Sequence, residues 1–239
     1  MLIVRVGDAS AAHGAEHGDY DGWVARGLAG GGPVTTRVVD PRGGGALPSP
    51  RDLAGVVVTG SSAMVTDRAE WSGRTAAFLR EAVAADVPAL GICYGHQLLA
   101  DALGGEAGWN PRGREIGTVA ITLTRAGEED ALLGVLAESG PVFSAQSTHR
   151  QVVLRLPEGA ARLAENALDP NQAIRVGRRA WGVQFHPEFD AAYLRTLLHE
   201  RRPAIEAEGL DADALLAGCH DTDTGPRLLA RFADLARRG

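Results

Sequence analysis

Pro88-Ala-Leu-Gly-Ile-Cys-Tyr-Gly-His-Gln-Leu-Leu99 is the stretch that decides how the rest of the chain reads. Pro88 to Ile92 is a short apolar run of the kind expected for a buried strand. Cys93 follows at once, and helix-forming residues continue to Leu103, where Gly104-Gly105 closes them. A strand that turns into a helix within two residues has the geometry of a nucleophile elbow, with the reactive side chain at the corner. Gly91 and Gly95 stand two positions before and two after Cys93, where side chains would crowd so sharp a turn. A sulfur at that corner lies at a helix N-terminus, whose dipole and free N–H groups favour thiolate over thiol. The same N–H groups, that of Tyr94 foremost, offer one half of an oxyanion hole. Taken alone, the segment also suits a cysteine that is merely a small apolar residue at a strand end.

Working outward, residues 2–6 read as a strand buried on both faces, followed by a polar, glycine-rich stretch with His13, His17, Gly18, Asp19 and Tyr20. A helix is expected around 21–29, a strand over Val34 to Val39, and a loop from Pro41 to Pro50 around Gly43, Gly44 and Gly45. Val56-Val57-Val58 reads as a third buried strand ending in Thr59-Gly60-Ser61-Ser62. Asp67 to Ala85 has helical spacing, with Asp67 as its N-cap. Beyond the elbow, Thr118 to Thr124 and Val152 to Leu156 alternate, and Ala180 to Phe185 forms a late strand. From about Asp190 the pattern is helical, with a charged, tail-like segment near 200–211 and an amphipathic stretch from Leu228 to Leu235. The expected class is α/β: a mostly parallel central sheet flanked by helices, with an added antiparallel section.

Composition narrows the function. The chain has 239 residues, is 45% hydrophobic and 23% charged, and carries a formal net charge of -6, which argues against a nucleic-acid or anionic-membrane partner. The Arg pairs at 178–179, 201–202 and 237–238 are diluted by acids and read as solvated surface. No apolar run is long enough to span a bilayer, and the N-terminus reads as a strand rather than a signal peptide. Two cysteines give no disulfide framework and no Cys-x-x-Cys pair, as in a soluble protein of a reducing compartment, the cytoplasm. Cys219-His220-Asp221 are adjacent residues that cannot easily converge on one ion, so neither a metal nor another cofactor is expected.

A thiol nucleophile needs a base, and the base needs an orienting partner. Trp181-Gly-Val-Gln-Phe-His-Pro-Glu-Phe189 supplies both at the end of an apolar strand. His186 and Glu188 are two apart, which puts them on one face of extended backbone, and Pro187 holds His186 in that conformation. Glu188 can then fix the imidazole tautomer, as the acid does in other triads.

Together these residues resemble the class I (triad) glutamine amidotransferases, especially stand-alone proteins similar to the amidotransferase domain of GMP synthetase. The pattern Gly-x-Cys-x-Gly-x-Gln is met by Gly91, Cys93, Gly95 and Gln97, and His-Pro-Glu by His186, Pro187 and Glu188. His17-Gly18-Asp19-Tyr20 and the C-terminal helical region look like the stand-alone subgroup. The resemblance implies a flavodoxin-like fold, with an amidotransferase domain over 1–195 and a C-terminal helical extension over 196–239. It implies that Cys93 attacks the side-chain amide of glutamine to form a thioester and release ammonia, that His186 shuttles the proton, and that Glu188 orients it. Backbone amides at Gly60, Ser61 and Tyr94 are the implied oxyanion donors, with Ser61 standing where glycine is common in the family. Gln97, Ser147 and Thr148 are the implied substrate-pocket residues; after His149 the acid common in relatives is replaced by Arg150-Gln151. His96 is read as structural. No Gly-x-x-x-x-Gly-Lys phosphate loop is present, so ammonia would need a separate synthetase subunit. Two other readings stay open: a γ-glutamyl peptidase or hydrolase acting on a small peptide or conjugate, and a catalytically silent binding subunit on the same fold.

Overall fold

Leu2, Ile3 and Val4 have no exposed surface, and neither do Val56, Val57 and Val58. Side chains alternate across a strand, so Leu2 and Val4 join one apolar cluster and Ile3 joins another on the opposite face. Continuous apolar triplets of this kind are what a parallel sheet covered on both faces requires. In the computed structural model, which describes residues 1–238, they are β1 (Leu2–Val4) and β3 (Val56–Val58), which flank one another with β2 (Arg37–Val39) on the outer side. Next comes β4 (Ala89–Ile92), and the later strands are β5 (Glu106–Trp109), β6 (Glu115–Leu123), β7 (Val142–His149), β8 (Gln151–Arg155), β9 (Ala161–Glu165), β10 (Ala173–Val176) and β11 (Ala180–Val183).

The large sheet runs β2-β1-β3-β4-β11-β10-β9-β6-β7, and β5 pairs with β8 in a small separate one. Pairing is parallel from β2 through β11 and antiparallel from β11 to β7, as the sequence implied. Gly91 of β4 lies beside Val58 of β3 on one side and Gly182 of β11 on the other. The carboxyl ends of these three strands therefore open side by side, where open α/β sheets hold their ligands.

The helices are α1 (Ala11–His17), α2 (Tyr20–Ala29), α3 (Glu70–Ala84), α4 (Tyr94–Ala102), α5 (Arg125–Glu128), α6 (Ala191–Ala207), α7 (Ala212–Gly218) and α8 (Thr224–Arg237). Phe78 and Leu79 of α3 and Leu98 and Leu99 of α4 cover one face of the parallel strands. Val24 and Leu28 of α2 and Leu228, Leu229 and Phe232 of α8 cover the other. Each such side chain contributes about 1.5–3 kcal/mol through burial, before the entropy of ordering it.

Several boundaries differ from the sequence reading. Asp67 does not cap α3, because Arg68 adopts a left-handed conformation (φ 53°) that breaks the helical path; α3 starts at Glu70 behind Ala69. Asp67 instead ends a 3-10 turn, where its carboxylate accepts the Met64 N–H at 3.2 Å. The strand expected at 34–39 shortens to 37–39, and the one expected from Thr118 begins at Glu115. Residues 200–211 are not a tail: α6 carries them to Ala207 despite Pro203, and Arg114 grips Glu208 with two hydrogen bonds of 2.7 and 2.8 Å. Helix α6 also runs unbroken through positions 195 and 196. Gly239, the last residue of the expected extension, lies outside the described residues. No helix among the described residues is long and apolar enough to cross a membrane.

Candidate active site

Cys93 connects β4 to α4 with φ 48° and ψ -97°, a conformation that a residue with a Cβ adopts only when its surroundings impose it. Those surroundings are glycines. A Cβ at Gly91 would lie 2.3 Å from the Gly95 carbonyl oxygen, and one at Gly95 would lie 2.4 Å from that of Val58. The Cys93 N–H donates to the Val183 carbonyl at 2.8 Å, which pins the corner to β11. Its sulfur receives the Gln184 side-chain amide at 3.4 Å and faces the Thr148 carbonyl at 3.9 Å.

Beyond β11, Phe185 is fully buried, and the next N–H, that of His186, donates to the Gln146 carbonyl at 2.8 Å. The His186 ring stacks on Phe189 with centroids 3.9 Å apart and planes within 10°. Its Nδ1 lies 2.8 Å from Glu188 Oε1, and the Glu188 side chain is fully buried. A carboxylate only accepts hydrogen bonds, so Nδ1 carries the hydrogen and Nε2 is left for the Cys93 sulfur. Burial disfavours the imidazolium, but the adjacent Glu188 carboxylate and the Cys93 sulfur outweigh it and push the His186 pKa up to about 10. Helix α8 braces this turn: a Cβ at Gly225, in its first turn, would lie 2.1 Å from the Pro187 carbonyl.

Ser61 and Tyr94 line a cavity of about 320 Å³ that opens onto Cys93 and His186. Tyr94 is the first residue of α4, so its amide has no acceptor within the helix. Gly60 sits against the His186 ring, where a Cβ would lie 2.6 Å from Cε1. Its carbonyl packs on Gly7, whose own Cβ would lie 2.4 Å from that oxygen. Gln97 lines the cavity; its amide donates to the Gln151 carbonyl at 2.7 Å and to Gln184 Oε1 at 3.1 Å. Thr148 lines it as well. The Ser147 side chain turns away and donates to Glu115 at 3.1 Å.

Some residues of the site were missed in the sequence. Glu115 is buried and accepts from Gln172 at 2.5 Å, Asn166 at 2.6 Å, and Ser147 at 3.1 Å, with His149 Nε2 at 3.0 Å. Burial opposes its charge, but the His149 contact and these amide donors hold its carboxyl below the usual range. This buried knot fixes the end of β7, from which Thr148 faces the sulfur. Gln184 is a polar residue in an apolar strand end, a signal that could have marked it. Tyr20 and Arg201 also line the cavity. His96, read as structural, is fully buried with its ring over Gly182, and desolvation together with nearby His149 lowers its pKa to about 3. Cys219, expected in a polar loop, is buried beside Ile116 and Leu194, and burial raises its pKa. Among the described residues, no group of three or more His, Cys, Asp or Glu side chains is placed to hold a metal.

The sequence matches the family Glutamine amidotransferase class-I over residues 49–199. It is 34% identical over 139 residues to a GMP synthase (glutamine-hydrolyzing) subunit of Archaeoglobus fulgidus, covering 58% of this chain and 68% of that one. It is 37% identical over 146 residues to the GMP synthase (glutamine-hydrolyzing) of Aeropyrum pernix, where the match spans 61% of this chain and 25% of the much longer relative. A glutamine amidotransferase from Thermotoga maritima superposes over 99% of this chain and 98% of its own with a TM-score of 0.75 at 19% identity, and so shares the fold. A glutamine amidotransferase from Methylobacillus flagellatus does so over 100% and 92% with a TM-score of 0.69 at 24% identity. The chain belongs to the class-I glutamine amidotransferase family.

Proposed function

We propose that the protein hydrolyses the γ-glutamyl amide of glutamine through a thioester on Cys93. The observation that carries this reading is the convergence of Cys93, His186 and Glu188 at the mouth of one cavity, with the His186–Glu188 contact at 2.8 Å and the sulfur beside the same ring. The Cys93 thiolate attacks the amide carbon, and the carbonyl oxygen becomes an oxyanion facing the amides of Tyr94 and of the Gly60-Ser61 turn. The C–N bond breaks as His186 delivers its proton to the departing nitrogen, which leaves as ammonia. Water then gives a proton to His186 and its oxygen to the thioester, and glutamate departs with the thiolate restored. Glutamine and water are consumed; glutamate and ammonia are formed. Gln97 and Thr148 shape the pocket around the glutamyl chain, and Ser147 acts through the Glu115 knot rather than by touching substrate.

The same reading treats residues 1–195 as the amidotransferase unit and 196–239 as an appendage packed against it. Ammonia would pass, in the cytoplasm, to a synthetase partner of the kind implied by the Archaeoglobus relative, which is named as one subunit of a GMP synthase. Hydrolysis of a larger γ-glutamyl compound is the second reading, favoured by the cavity reaching Arg150 and Arg201. The test is release of ammonia and glutamate from glutamine by the parent beside Cys93→Ala. The substitution is expected to lower kcat by about 10⁴-fold or more. Equal turnover by both proteins would refute the assignment. Inertness of both, with Cys93 unreactive toward a glutamine-like electrophile, would favour a silent binding subunit instead.

A further inference from the structure

Three arginines line the cavity: Arg114, Arg150 and Arg201. Their situations differ. Arg114 is nearly buried, with 7% of its side chain exposed, and Glu208 neutralises it through two hydrogen bonds. Arg150 is exposed and lies over the Trp109 ring at 5.1 Å. Arg201 reaches in from α6 and donates to the Thr148 hydroxyl at 2.7 Å. Among the described residues, no carboxylate lies within ion-pairing distance of Arg201, whereas its neighbour Arg202 pairs with both Glu206 and Asp213. A partly buried guanidinium with five donors and a neutral hydroxyl as its side-chain partner has a fork free for a carboxylate. Thr148 is common to both ends of the site: its carbonyl faces the Cys93 sulfur and its hydroxyl holds the guanidinium. One small ligand can therefore touch both.

We propose that Arg201 is a specificity residue that binds a carboxylate of the γ-glutamyl substrate, so that the C-terminal extension completes the pocket. This rests on the γ-glutamyl reading given above. Two carboxylates have the required chemistry: the α-carboxylate of the glutamyl group, present in glutamine itself, and a carboxylate on the leaving group, as in a γ-glutamyl amino acid.

The test measures binding rather than turnover, using full-length Cys93→Ala protein and calorimetry. The ligands are L-glutamine, its α-carboxamide, γ-glutamylglycine and γ-glutamyl methylamide. Arg201→Met in that background is expected to weaken the ligand whose carboxylate is read by about 10- to 100-fold, the range for hydrogen bonds to charged groups. Arg201→Lys is expected to recover part of the loss, because it keeps the charge without the fork. Weakening of every ligand except the α-carboxamide identifies the α-carboxylate as the one bound. Weakening of γ-glutamylglycine alone identifies the leaving-group carboxylate. A purely structural effect of Arg201→Met would weaken all four ligands alike, whereas loss of a carboxylate contact spares the ligands that lack that carboxylate. Arg202→Met, whose guanidinium pairs with Glu206 and Asp213, is expected to leave the preference unchanged. Binding that is indifferent to Arg201→Met, or an equal loss across all four ligands, overturns the proposal. Absence of any binding while Arg201 is in place removes the γ-glutamyl reading as well, which separates the two failures.

Discussion

Replacing His186 with alanine is expected to lower kcat for glutamine hydrolysis by about 10⁴-fold or more, with KM changing far less. The ring is asked to hold a proton beside the sulfur, give it to the leaving nitrogen and take one from water, and no neighbour offers a substitute. Among the described residues, the other hydrogen-bonding partners of the Cys93 sulfur are the Gln184 amide and the Thr148 carbonyl, neither of which titrates in the working range. The raised pKa adds a pH signature. Burial lowers the His186 pKa, but Glu188 and Cys93 push it up to about 10, so the alkaline limb of kcat/KM should fall as pH rises through about 10. The sign for stability is the same. A group with its pKa raised on folding contributes fully below the unfolded value of 6.5, and that contribution is lost as pH climbs through about 10. Glu188→Gln should move the alkaline limb downward, because it removes the largest influence raising that pKa. An alkaline limb unmoved by Glu188→Gln would show that the carboxylate does not act on the imidazole.

Gly60→Ala is expected to cost about 10²-fold in kcat from one added methyl group. That carbon would sit 2.6 Å from His186 Cε1, well inside contact distance. The ring cannot simply yield. Phe189 stacks on its face at 3.9 Å, Glu188 holds Nδ1 at 2.8 Å, and the His186 N–H is bound to Gln146. The Gly60 loop cannot easily retreat either, since its carbonyl already presses on Gly7. Whichever side moves, the ring or the adjacent amide leaves its place by a fraction of an ångström. The stability cost of such overpacking is about 1–3 kcal/mol, small enough for the protein to stay folded and be assayed. Steady-state kinetics with a parallel thermal melt checks this, and unchanged kcat would mean that the ring and the Gly60 loop are not mutually locked.

Much of this arrangement was legible in the residues. Apolar triplets such as Val56-Val57-Val58 are what parallel strands covered on both faces require, and Gly91-x-Cys93-x-Gly95 encodes a corner whose steric reason is visible in the close approach of Gly91 to the Gly95 carbonyl. What was hidden depends on contacts distant in sequence. Asp67 has a capping residue's chemistry, yet the left-handed Arg68 beside it denies α3 that start. Glu115 begins a strand that sequence alternation marked only from Thr118, because its first three residues are all buried and show no period of two. Arg201 belongs to a run of charges that reads as solvated surface. Only the path of α6 over the cavity, tied down by Arg114 and Glu208 from 94 positions apart, brings it to Thr148. Ser147 has the residue type of a pocket lining, but the alternation of β7 turns its hydroxyl to Glu115.

Whether the elbow cysteine attacks a γ-glutamyl carbon is read out by treating the protein near neutral pH with an electrophilic glutamine analogue and mapping the adduct by peptide mass spectrometry. The protein carries a second thiol as an internal control, since Cys219 is buried and its pKa is raised by that burial. The expected result is one adduct per chain, on Cys93, slowed by excess glutamine and lost in His186→Ala. No adduct, or labelling shared with Cys219 and indifferent to glutamine, would contradict that role for Cys93.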